Sequence, residues 1–198
     1  MNIALFASGS GSNVKNIIEY FSKNQSVNVQ LVVSNKPDAG ALMHAKNAHI
    51  NTRVFSHQEL KNVDPVLESL NDSNIGMVIL AGFLLKIPSD LISRFNGDII
   101  NVHPSLLPKF GGKGMYGNHV HKAVLAQGES ETGITIHYVN EHYDEGKIIQ
   151  QFSTSISEAE TLDTLLLKIK ALEKAHFPPT IEKAINEQLK IEREKENQ

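Results

Sequence analysis

The sequence contains neither cysteine nor tryptophan, and the missing cysteines exclude several kinds of chemistry. Without a thiol, the chain can form no disulfide, no thiolate zinc site and no nucleophilic cysteine centre. Its 198 residues are enough to bury a large core without such cross-links. The sequence therefore predicts one globular domain over residues 1–190, followed by a charged, frayed tail over residues 191–198.

Long apolar runs are lacking as well. No segment reaches the roughly 18 consecutive apolar residues that span a bilayer, and no basic region followed by an apolar signal segment begins the chain. An excess of one charge is also missing: the net charge is −3, with acids and bases interspersed, which argues against a nucleic-acid-binding surface. We therefore expect a soluble, cytoplasmic protein that binds neither membranes nor nucleic acids.

Short apolar runs alternate with helical patterns through the N-terminal half of the chain. The runs typical of buried strands are residues 2–7, 27–33, 77–81 and 98–102, and the less apolar residues 52–55 are a further strand candidate. The helical patterns between them cover residues 14–21, 39–48 and 64–70. The last of these helices is expected to have Asp64 as its N-cap and Pro65 at its first position. This alternation predicts an α/β fold with a doubly wound, mostly parallel sheet.

The pattern changes in the C-terminal half. Residues 133–139 alternate between polar and apolar, and residues 147–154 resemble a partner strand, which predicts an antiparallel addition at the sheet edge. From Thr161 onward, leucines and isoleucines fall on one helical stripe, which predicts a C-terminal helix. Pro178 and Pro179 are expected to interrupt that helix, and a short final helix follows them.

Residues 99–108 combine the apolar end of a strand with Asn101 and His103. Because Pro104 disfavours helical backbone at the preceding residue, we expect His103 to be extended, at the carboxyl end of the strand. Ligands of open α/β sheets bind at that end. The stretch alone leaves an alternative open, in which Asn101 and His103 make only structural hydrogen bonds beside a loop.

The glycine-rich residues 8–13 join the first predicted strand to the first helix. Glycines allow the backbone to approach a ligand, and a helix N-terminus presents unpaired N–H groups, so we expect an anion site here. The loop lacks the third glycine of a dinucleotide motif and the lysine of a triphosphate loop, which favours a phosphate monoester. The alternative is an ordinary turn with Ser12 or Asn13 as N-cap.

The loop at residues 140–146 carries Asp144 and Glu145 in front of a glycine. Such a sequence is usually a hairpin turn. A carboxylate here could instead pair with His103, because an adjacent negative charge favours the protonated imidazole. The sequence by itself does not show that the two residues are close.

The remaining histidines give weaker indications. His119 and His121 are two positions apart, so they share a face only on a strand, and no carboxylate cluster accompanies them. We therefore expect no metal site. His137 lies on a predicted strand whose neighbours can face the site, and it is kept as a secondary candidate.

The string Asn-Val-His-Pro-Ser-Leu-Leu-Pro at residues 101–108, with Asp144 in an Asp-x-Gly turn, resembles the folate-dependent formyltransferase family. Residues 8–13 and 81–83 are similar to those of members that act on glycinamide ribonucleotide in purine biosynthesis. The resemblance covers nearly the whole chain. It implies formyl transfer from the co-substrate 10-formyltetrahydrofolate to the amine of glycinamide ribonucleotide, by direct attack through a tetrahedral intermediate and without a metal.

The resemblance also implies roles for individual residues. His103 would be the general acid, Asn101 would donate to the oxygen of the intermediate, and Asp144 would keep His103 protonated. The residues implied in binding the ribonucleotide are Gly11, Ser12, Asn13, Lys170 and Glu173. Those implied in binding folate are Leu84, Leu85, Lys86, Ile87, Asn101, Asn140, Glu141, His142, Tyr143 and Asp144.

Two features depart from the family pattern. Leu85 stands where many members have an arginine, so a cationic contact with folate is in doubt there. Residues 110–117 form a longer, glycine-rich loop than in many members, which indicates either a mobile lid or a plain surface excursion.

Other functions stay open at this level. One alternative is another folate-dependent enzyme, which formylates methionyl-tRNA or a sugar nucleotide or hydrolyses formyltetrahydrofolate. The other is a non-catalytic phosphate-binding module, which would leave Asn101, His103 and Asp144 without a joint purpose. The protein is expected to be a monomer or a homodimer.

Overall fold

The computed structural model describes residues 1–196 of the chain. The helices and strands follow in the order β1 (Asn2–Ala7), α1 (Ser12–Phe21), β2 (Asn28–Ser34), α2 (Gly40–Asn47), β3 (Asn51–Val54), α3 (Asp64–Asp72), β4 (Ile75–Leu80), α4 (Ser89–Arg94), β5 (Asp98–His103), α5 (Asn118–Ala126), β6 (Glu131–Tyr138), β7 (Ile148–Ser155) and α6 (Leu162–Glu196). A short 3-10 helix, Glu59–Lys61, precedes α3.

The strands form one seven-stranded sheet in the order β3-β2-β1-β4-β5-β6-β7. Neighbours from β3 to β5 run parallel, whereas β6 and β7 are antiparallel additions beside β5. The predicted doubly wound sheet with an antiparallel edge is therefore confirmed. The winding reverses at β1, which has β2 on one side and β4 on the other, and ligands bind at such a switch point.

Successive residues of a strand point to opposite faces of the sheet, and helices cover both faces. Ile3 and Leu5 of β1 belong to the core that the sheet forms with α1, α2 and α6. Ala4 and Phe6 belong to the core on the other face, with α3 and α4. All four side chains are fully buried, so β1 is fixed from both sides and the loop that follows it has a defined position.

The C-terminal helix α6 continues through Pro178 and Pro179, so the predicted interruption is wrong. Pro178 lacks the N–H that would donate to the Lys174 carbonyl in a regular helix. The side chain of Asn16 on α1 replaces that donor, since its Nδ2 donates to the Lys174 oxygen at 3.0 Å. Ile181, just beyond the prolines, is fully buried against the sheet. Packing and a long-range hydrogen bond therefore keep the helix continuous.

Further local features differ from the prediction. The sequence patterns predicted neither α4 nor α5. Helix α3 begins at Asp64, but Val63 is its cap residue, and the Asp64 carboxylate accepts from Arg94 at 2.7 Å instead of capping the helix. His119 and His121 lie on helix α5, where residues two apart point in nearly opposite directions: His121 is buried and His119 is exposed.

The charged tail predicted for residues 191–198 lies partly outside the described residues. Residues 191–196 continue α6, whereas residues 197–198 are not described, so the fraying of this tail and the domain limit at residue 190 stay predictions. No helix within residues 1–196 is both long enough and apolar enough to cross a membrane.

Candidate active site at the carboxyl edge of the sheet

A cleft of about 670 Å³ opens at the carboxyl ends of β1, β4 and β5. Segments that follow these strands line it, at residues 9–13, 80–87, 101–104 and 112–118. The loop between β6 and β7 and one side of α6 complete the lining. The cleft thus lies at the switch point of the sheet, and its volume is in the range of small-molecule sites.

The glycine-rich loop after β1 presents the start of α1 to the cleft. Gly11 has a φ of 79°, which glycine adopts without strain, and the helix begins at Ser12. Within the described chain no side chain caps this helix, and the Asn13 amide instead donates to Glu173 at 2.9 Å. The alternative of an ordinary turn capped by Ser12 or Asn13 is therefore wrong. The first backbone N–H groups of α1 remain free to bind an anion.

A Gly11→Ala variant is expected to unfold at a lower temperature than the unchanged protein. A Cβ at this position would collide with the backbone of Ala41 on α2, and a φ of 79° is strained for any residue with a side chain. Together these effects cost about 2 kcal/mol or more, which lowers Tm by about 4 °C or more.

Gly9→Ala is the matched control, because a Cβ on Gly9 would meet open space in the described structure. Its Tm is expected to stay within about 2 °C of the unchanged protein. Thermal denaturation followed by circular dichroism measures both variants. Equal losses of Tm in the two variants would contradict the fit of Gly11 against α2.

Two hydrogen bonds join the loop after β1 to the segment after β4. The N–H of Ser8 donates to the Gly82 carbonyl at 3.0 Å, and the N–H of Leu84 donates to the Ser8 hydroxyl at 2.9 Å. Ser8 is buried, so water competes little for these bonds. The glycine-rich loop after β1 and the wall at residues 84–87 are therefore held at a fixed separation.

His103 ends β5 with its backbone extended, as the following proline predicts, and its buried imidazole lines the cleft. Its Nε2 lies 2.8 Å from the carbonyl oxygen of Phe110, which can only accept, so Nε2 carries a hydrogen. Its Nδ1 lies 3.6 Å from Oδ1 of Asp144. Nδ1 is therefore the ring nitrogen that stands beside the carboxylate.

Asp144 reaches the end of β5 from the loop between β6 and β7. Its backbone φ is 57°, and its Oδ2 accepts a hydrogen bond from the N–H of Gly112 at 2.8 Å. Its Oδ1 lies 3.6 Å from Nδ1 of His103 and 3.8 Å from Nε2 of His137. The turn thus does more than connect two strands, because it places a carboxylate between two imidazoles.

Asn101 and His137 face each other across the antiparallel pair of β5 and β6. The Asn101 Nδ2 donates to His137 Nε2 at 3.2 Å, and His137 Nδ1 donates to the Tyr138 carbonyl at 2.9 Å. Burial lowers the pKa of His137 despite the nearby Asp144 carboxylate, so the neutral imidazole is favoured. The structure therefore places His137, the secondary candidate, in one cluster with Asn101, His103 and Asp144.

Lys170 and Glu173 line the cleft from α6, beside the start of α1. Burial raises the pKa of the Glu173 carboxyl, and the hydrogen bond from Asn13 and the charge of Lys170 offset only part of that rise. Charged residues on a helix usually belong to a solvated face. Glu173 does not, because its carboxyl is partly buried. Its carboxyl is a partly desolvated acceptor next to the start of α1.

Residues 1–181 match the model of the family described as formyl transferase. The chain belongs to the formyl transferase family. The resemblance inferred from Asn101, His103 and the proline-rich residues after them is therefore confirmed, and the match covers nearly the whole chain.

Curated relatives carry names from purine biosynthesis. The chloroplastic phosphoribosylglycinamide formyltransferase of Vigna unguiculata is 38% identical over 193 residues, which cover 94% of this chain and 62% of that protein. The human trifunctional purine biosynthetic protein adenosine-3 is 35% identical over 188 residues, which cover 91% of this chain and 18% of that protein. The chain spans about three fifths of the length of the plant relatives that it matches.

Solved structures of family members share the fold. The phosphoribosylglycinamide formyltransferase of Bacillus halodurans is 34% identical with a TM-score of 0.84, and the match covers 93% of this chain and 95% of that one. The enzyme of the same name from Streptococcus pneumoniae TIGR4 is 29% identical with a TM-score of 0.82, and the match covers 93% of this chain and 98% of that one. The sheet order and the long C-terminal helix are thus features of this formyl transferase fold.

The residues expected to bind folate in this formyl transferase form one side of the cleft. Those that line it are Leu84, Leu85, Lys86, Ile87, Asn101, Asn140, His142, Tyr143 and Asp144. The exposed Glu141 does not belong to the lining of the described cleft. Lys86 Nζ lies 4.9 Å from the centre of the Tyr143 ring, a cation–π contact that joins two loops. Lys86 therefore places a cation next to Leu85, which stands where many family members have an arginine.

The sequence predicts the glycine-rich loop at residues 110–117 as a lid or a surface excursion, but it does not predict His121 as a lining residue. Residues 112–117 of this loop border the cleft, and Gly112 contacts Asp144. His121 also lines the cleft, and burial lowers its pKa. The helical spacing of Val120, His121 and Val124, which are all buried, is the signal that could have found it.

The sequence predicts no metal site at His119 and His121. His119 and His121 point in different directions on α5 and so form no pair of ligands. Among residues 1–196, no group of three or more histidine and acidic side chains is arranged to hold a metal ion.

Proposed function

We propose that this chain transfers the formyl group of 10-formyltetrahydrofolate to the amine of glycinamide ribonucleotide, a step of purine biosynthesis. The observation that supports the proposal most strongly is the meeting of Asn101, His103 and Asp144 in one cleft, beside an uncapped helix start. The names of the bacterial and plant relatives agree with this reaction.

The proposed substrate positions follow from the chemistry of the lining. The phosphate of the ribonucleotide binds at Gly11, Ser12 and Asn13, because the helix start offers N–H groups and a partial positive charge. Lys170 adds a cation near this end of the cleft. The folate lies against residues 84–87 and 140–144, where Leu84, Leu85 and the Tyr143 ring offer apolar surface. The two small molecules then meet between these regions, next to Asn101 and His103.

In the proposed reaction, the amine nitrogen attacks the formyl carbon, and the carbonyl oxygen takes up the negative charge of a tetrahedral intermediate. Donors fixed on that oxygen are expected to be the largest contribution to catalysis, because they stabilise charge that develops only as the reaction proceeds. The Asn101 side-chain amide is one such donor. The carbon–N10 bond of the folate then breaks and leaves the formyl group on the amine.

Proton transfer completes the proposed mechanism. The amine loses one proton and N10 of the folate gains one, so the reaction as a whole needs no external acid or base. His103 is the group that moves this proton, and the Asp144 carboxylate lies 3.6 Å from its Nδ1. Because Nε2 of His103 is held by the Phe110 carbonyl, Nδ1 is assigned as the nitrogen that exchanges the proton.

Glu173 is proposed to accept a hydrogen bond from the substrate amine, which requires the ionised carboxylate. Since burial raises its pKa, protonation begins at a higher pH than for an ordinary glutamate, and amine binding weakens as the pH falls. We expect KM for glycinamide ribonucleotide to rise on acidification in the unchanged protein. In Glu173→Gln, KM should be higher at neutral pH and rise less on acidification.

Steady-state kinetics across the acidic and neutral range measure this difference. The substrate's own titration is common to both proteins, so comparing them isolates the contribution of residue 173. An equally steep rise of KM in Glu173→Gln would overturn the role given to this carboxylate.

The function is tested with the purified chain, 10-formyltetrahydrofolate and a set of acceptors. Glycinamide ribonucleotide is expected to be formylated, and its dephosphorylated form should lose about 10- to 100-fold in kcat/KM, because charge-assisted hydrogen bonds to the phosphate are lost. Preferred transfer to methionyl-tRNA or a sugar nucleotide, or release of formate alone, would replace the proposal by one of its alternatives. Folate binding without any turnover would leave a non-catalytic module.

Assembly and location belong to the proposal as well. The protein is proposed to act as a monomer or homodimer in the cytoplasm, with two small molecules as its partners and neither nucleic acid nor membrane. Two plant relatives are named chloroplastic, so cell fractionation is the experiment that decides location.

A further inference from the structure

The pair formed by Asn101 and His137 defines the hydrogen positions on the His137 ring. The Tyr138 carbonyl can only accept, so the hydrogen of its 2.9 Å contact lies on His137 Nδ1. The Asn101 amide nitrogen can only donate, so the 3.2 Å contact requires an unprotonated Nε2. Both conditions are met by one species, the neutral imidazole with its hydrogen on Nδ1.

The surroundings of His137 agree with that species. His137 is 2% exposed, and burial disfavours the charged ring. The ionisable groups that face it are Asp144, with Oδ1 at 3.8 Å from Nε2, and His103. Asp144 favours a charged imidazole and His103 disfavours one, while burial is the larger influence and keeps the pKa of His137 below its usual value.

The Asn101 amide has two hydrogens on Nδ2, and His137 accepts only one of them. The amide group is planar, so fixing one N–H also fixes the direction of the other. If Nε2 did not accept, the amide could rotate about its terminal bond and present Oδ1 in place of the N–H. An oxygen there would repel the negative charge of a tetrahedral intermediate instead of stabilising it.

We infer that His137 is a positioning residue, which orients the Asn101 amide so that its second N–H points at the oxygen of the reacting formyl group. The inference rests on the proposed function for its catalytic consequence. His137 lines the cleft, but its Nε2 is engaged by the Asn101 amide and its Nδ1 by the Tyr138 carbonyl, so neither ring nitrogen is left to exchange a proton with the substrate. It acts through Asn101 as a fixed hydrogen-bond acceptor, and any side chain that supplies an acceptor at the position of Nε2 can replace it.

The kinetic test compares His137→Gln with His137→Leu, each in the unchanged protein and in an Asn101→Ala background. Glutamine can place Oε1 near the position of Nε2, whereas leucine has no acceptor. We expect His137→Leu to lower kcat by about tenfold or more and to change KM by less than about threefold. The reason is that the Asn101 N–H, which donates to the reacting oxygen in the transition state, is no longer held in place. His137→Gln should recover at least about half of the kcat.

The Asn101→Ala background separates positioning from general structural damage. If His137 acts through Asn101, then His137→Leu lowers kcat less than about twofold once the amide is gone. Equal losses in both backgrounds would overturn the inference, as would a glutamine variant no more active than the leucine variant. Thermal denaturation checks that each variant is folded.

A second measurement keeps this inference distinct from the proposed function. In ¹⁵N spectra of the uniformly ¹⁵N-labelled protein, His137 should show a protonated Nδ1 and an unprotonated Nε2. The Asn101 side-chain N–H signals should shift in His137→Leu and return toward their original positions in His137→Gln. These results are expected even if no formyl transfer is found, whereas a hydrogen on Nε2 would overturn the inference even in an active enzyme.

Discussion

Replacing His103 with alanine is expected to lower kcat by about 10²–10⁴-fold and to change KM for either substrate by less than about threefold. The imidazole is held at Nε2 by the Phe110 carbonyl at 2.8 Å, and its Nδ1 lies 3.6 Å from Asp144. Alanine removes the group proposed to transfer the proton but leaves the glycine-rich loop after β1 and the opposite wall of the cleft at residues 84–87 unchanged. Steady-state kinetics with each substrate varied in turn measure the effect.

His119→Ala is the matched control for this variant. His119 is exposed on α5 and contacts the Tyr116 ring, with ring centres 5.4 Å apart, and it is not part of the described cleft lining. Its kcat should stay within about twofold of the unchanged protein. Unchanged turnover in His103→Ala would remove the general acid from the mechanism, whatever the control shows.

The second large effect is expected at Asn101, where alanine should lower kcat by about 10²–10³-fold, the usual loss when one oxyanion donor is removed. The isosteric Asn101→Asp is expected to be at least as slow, because it replaces the N–H donor by an oxygen and adds a negative charge near the developing one. KM should change little in either variant, since the interaction is made in the transition state.

Single-turnover kinetics with enzyme in excess measure the chemical step of both Asn101 variants directly. Binding of each substrate, followed by fluorescence or calorimetry, shows whether the cleft is intact. A fast Asn101→Asp variant would contradict the role of this amide, because an aspartate keeps the shape of the side chain but lacks the donor.

Strands β1, β2, β4 and β5 could be predicted because each is a short, mostly apolar run, and a parallel sheet covered on both faces needs such runs. Residues 2–7, the first predicted strand, coincide with β1. The continuity of α6 could not be predicted in the same way. The donor that replaces the missing proline N–H comes from Asn16, whose partner Lys174 is 158 positions away in the chain. The six-residue α4 is too short to show a clear helical period.

For the candidate site, too, the sequence predicts some features, whereas others depend on how the strands pair. Asn101 and His103 could be placed at a strand end because Pro104 restricts the backbone before it, and the anion-binding loop follows from its glycines. Their meeting with Asp144 could not be derived from the residues, since it depends on how β6 and β7 fold back beside β5. The pairing of Asn101 with His137 depends on that same register.

The central claim, direct formyl transfer within this cleft, is tested most directly by following a ¹³C-labelled formyl group. The purified chain is mixed with labelled 10-formyltetrahydrofolate and glycinamide ribonucleotide, and carbon NMR records where the label goes. We predict that the label appears on the amine of the ribonucleotide as a formamide, with little free formate. Free formate as the labelled product, or no movement of the label at all, would contradict the account.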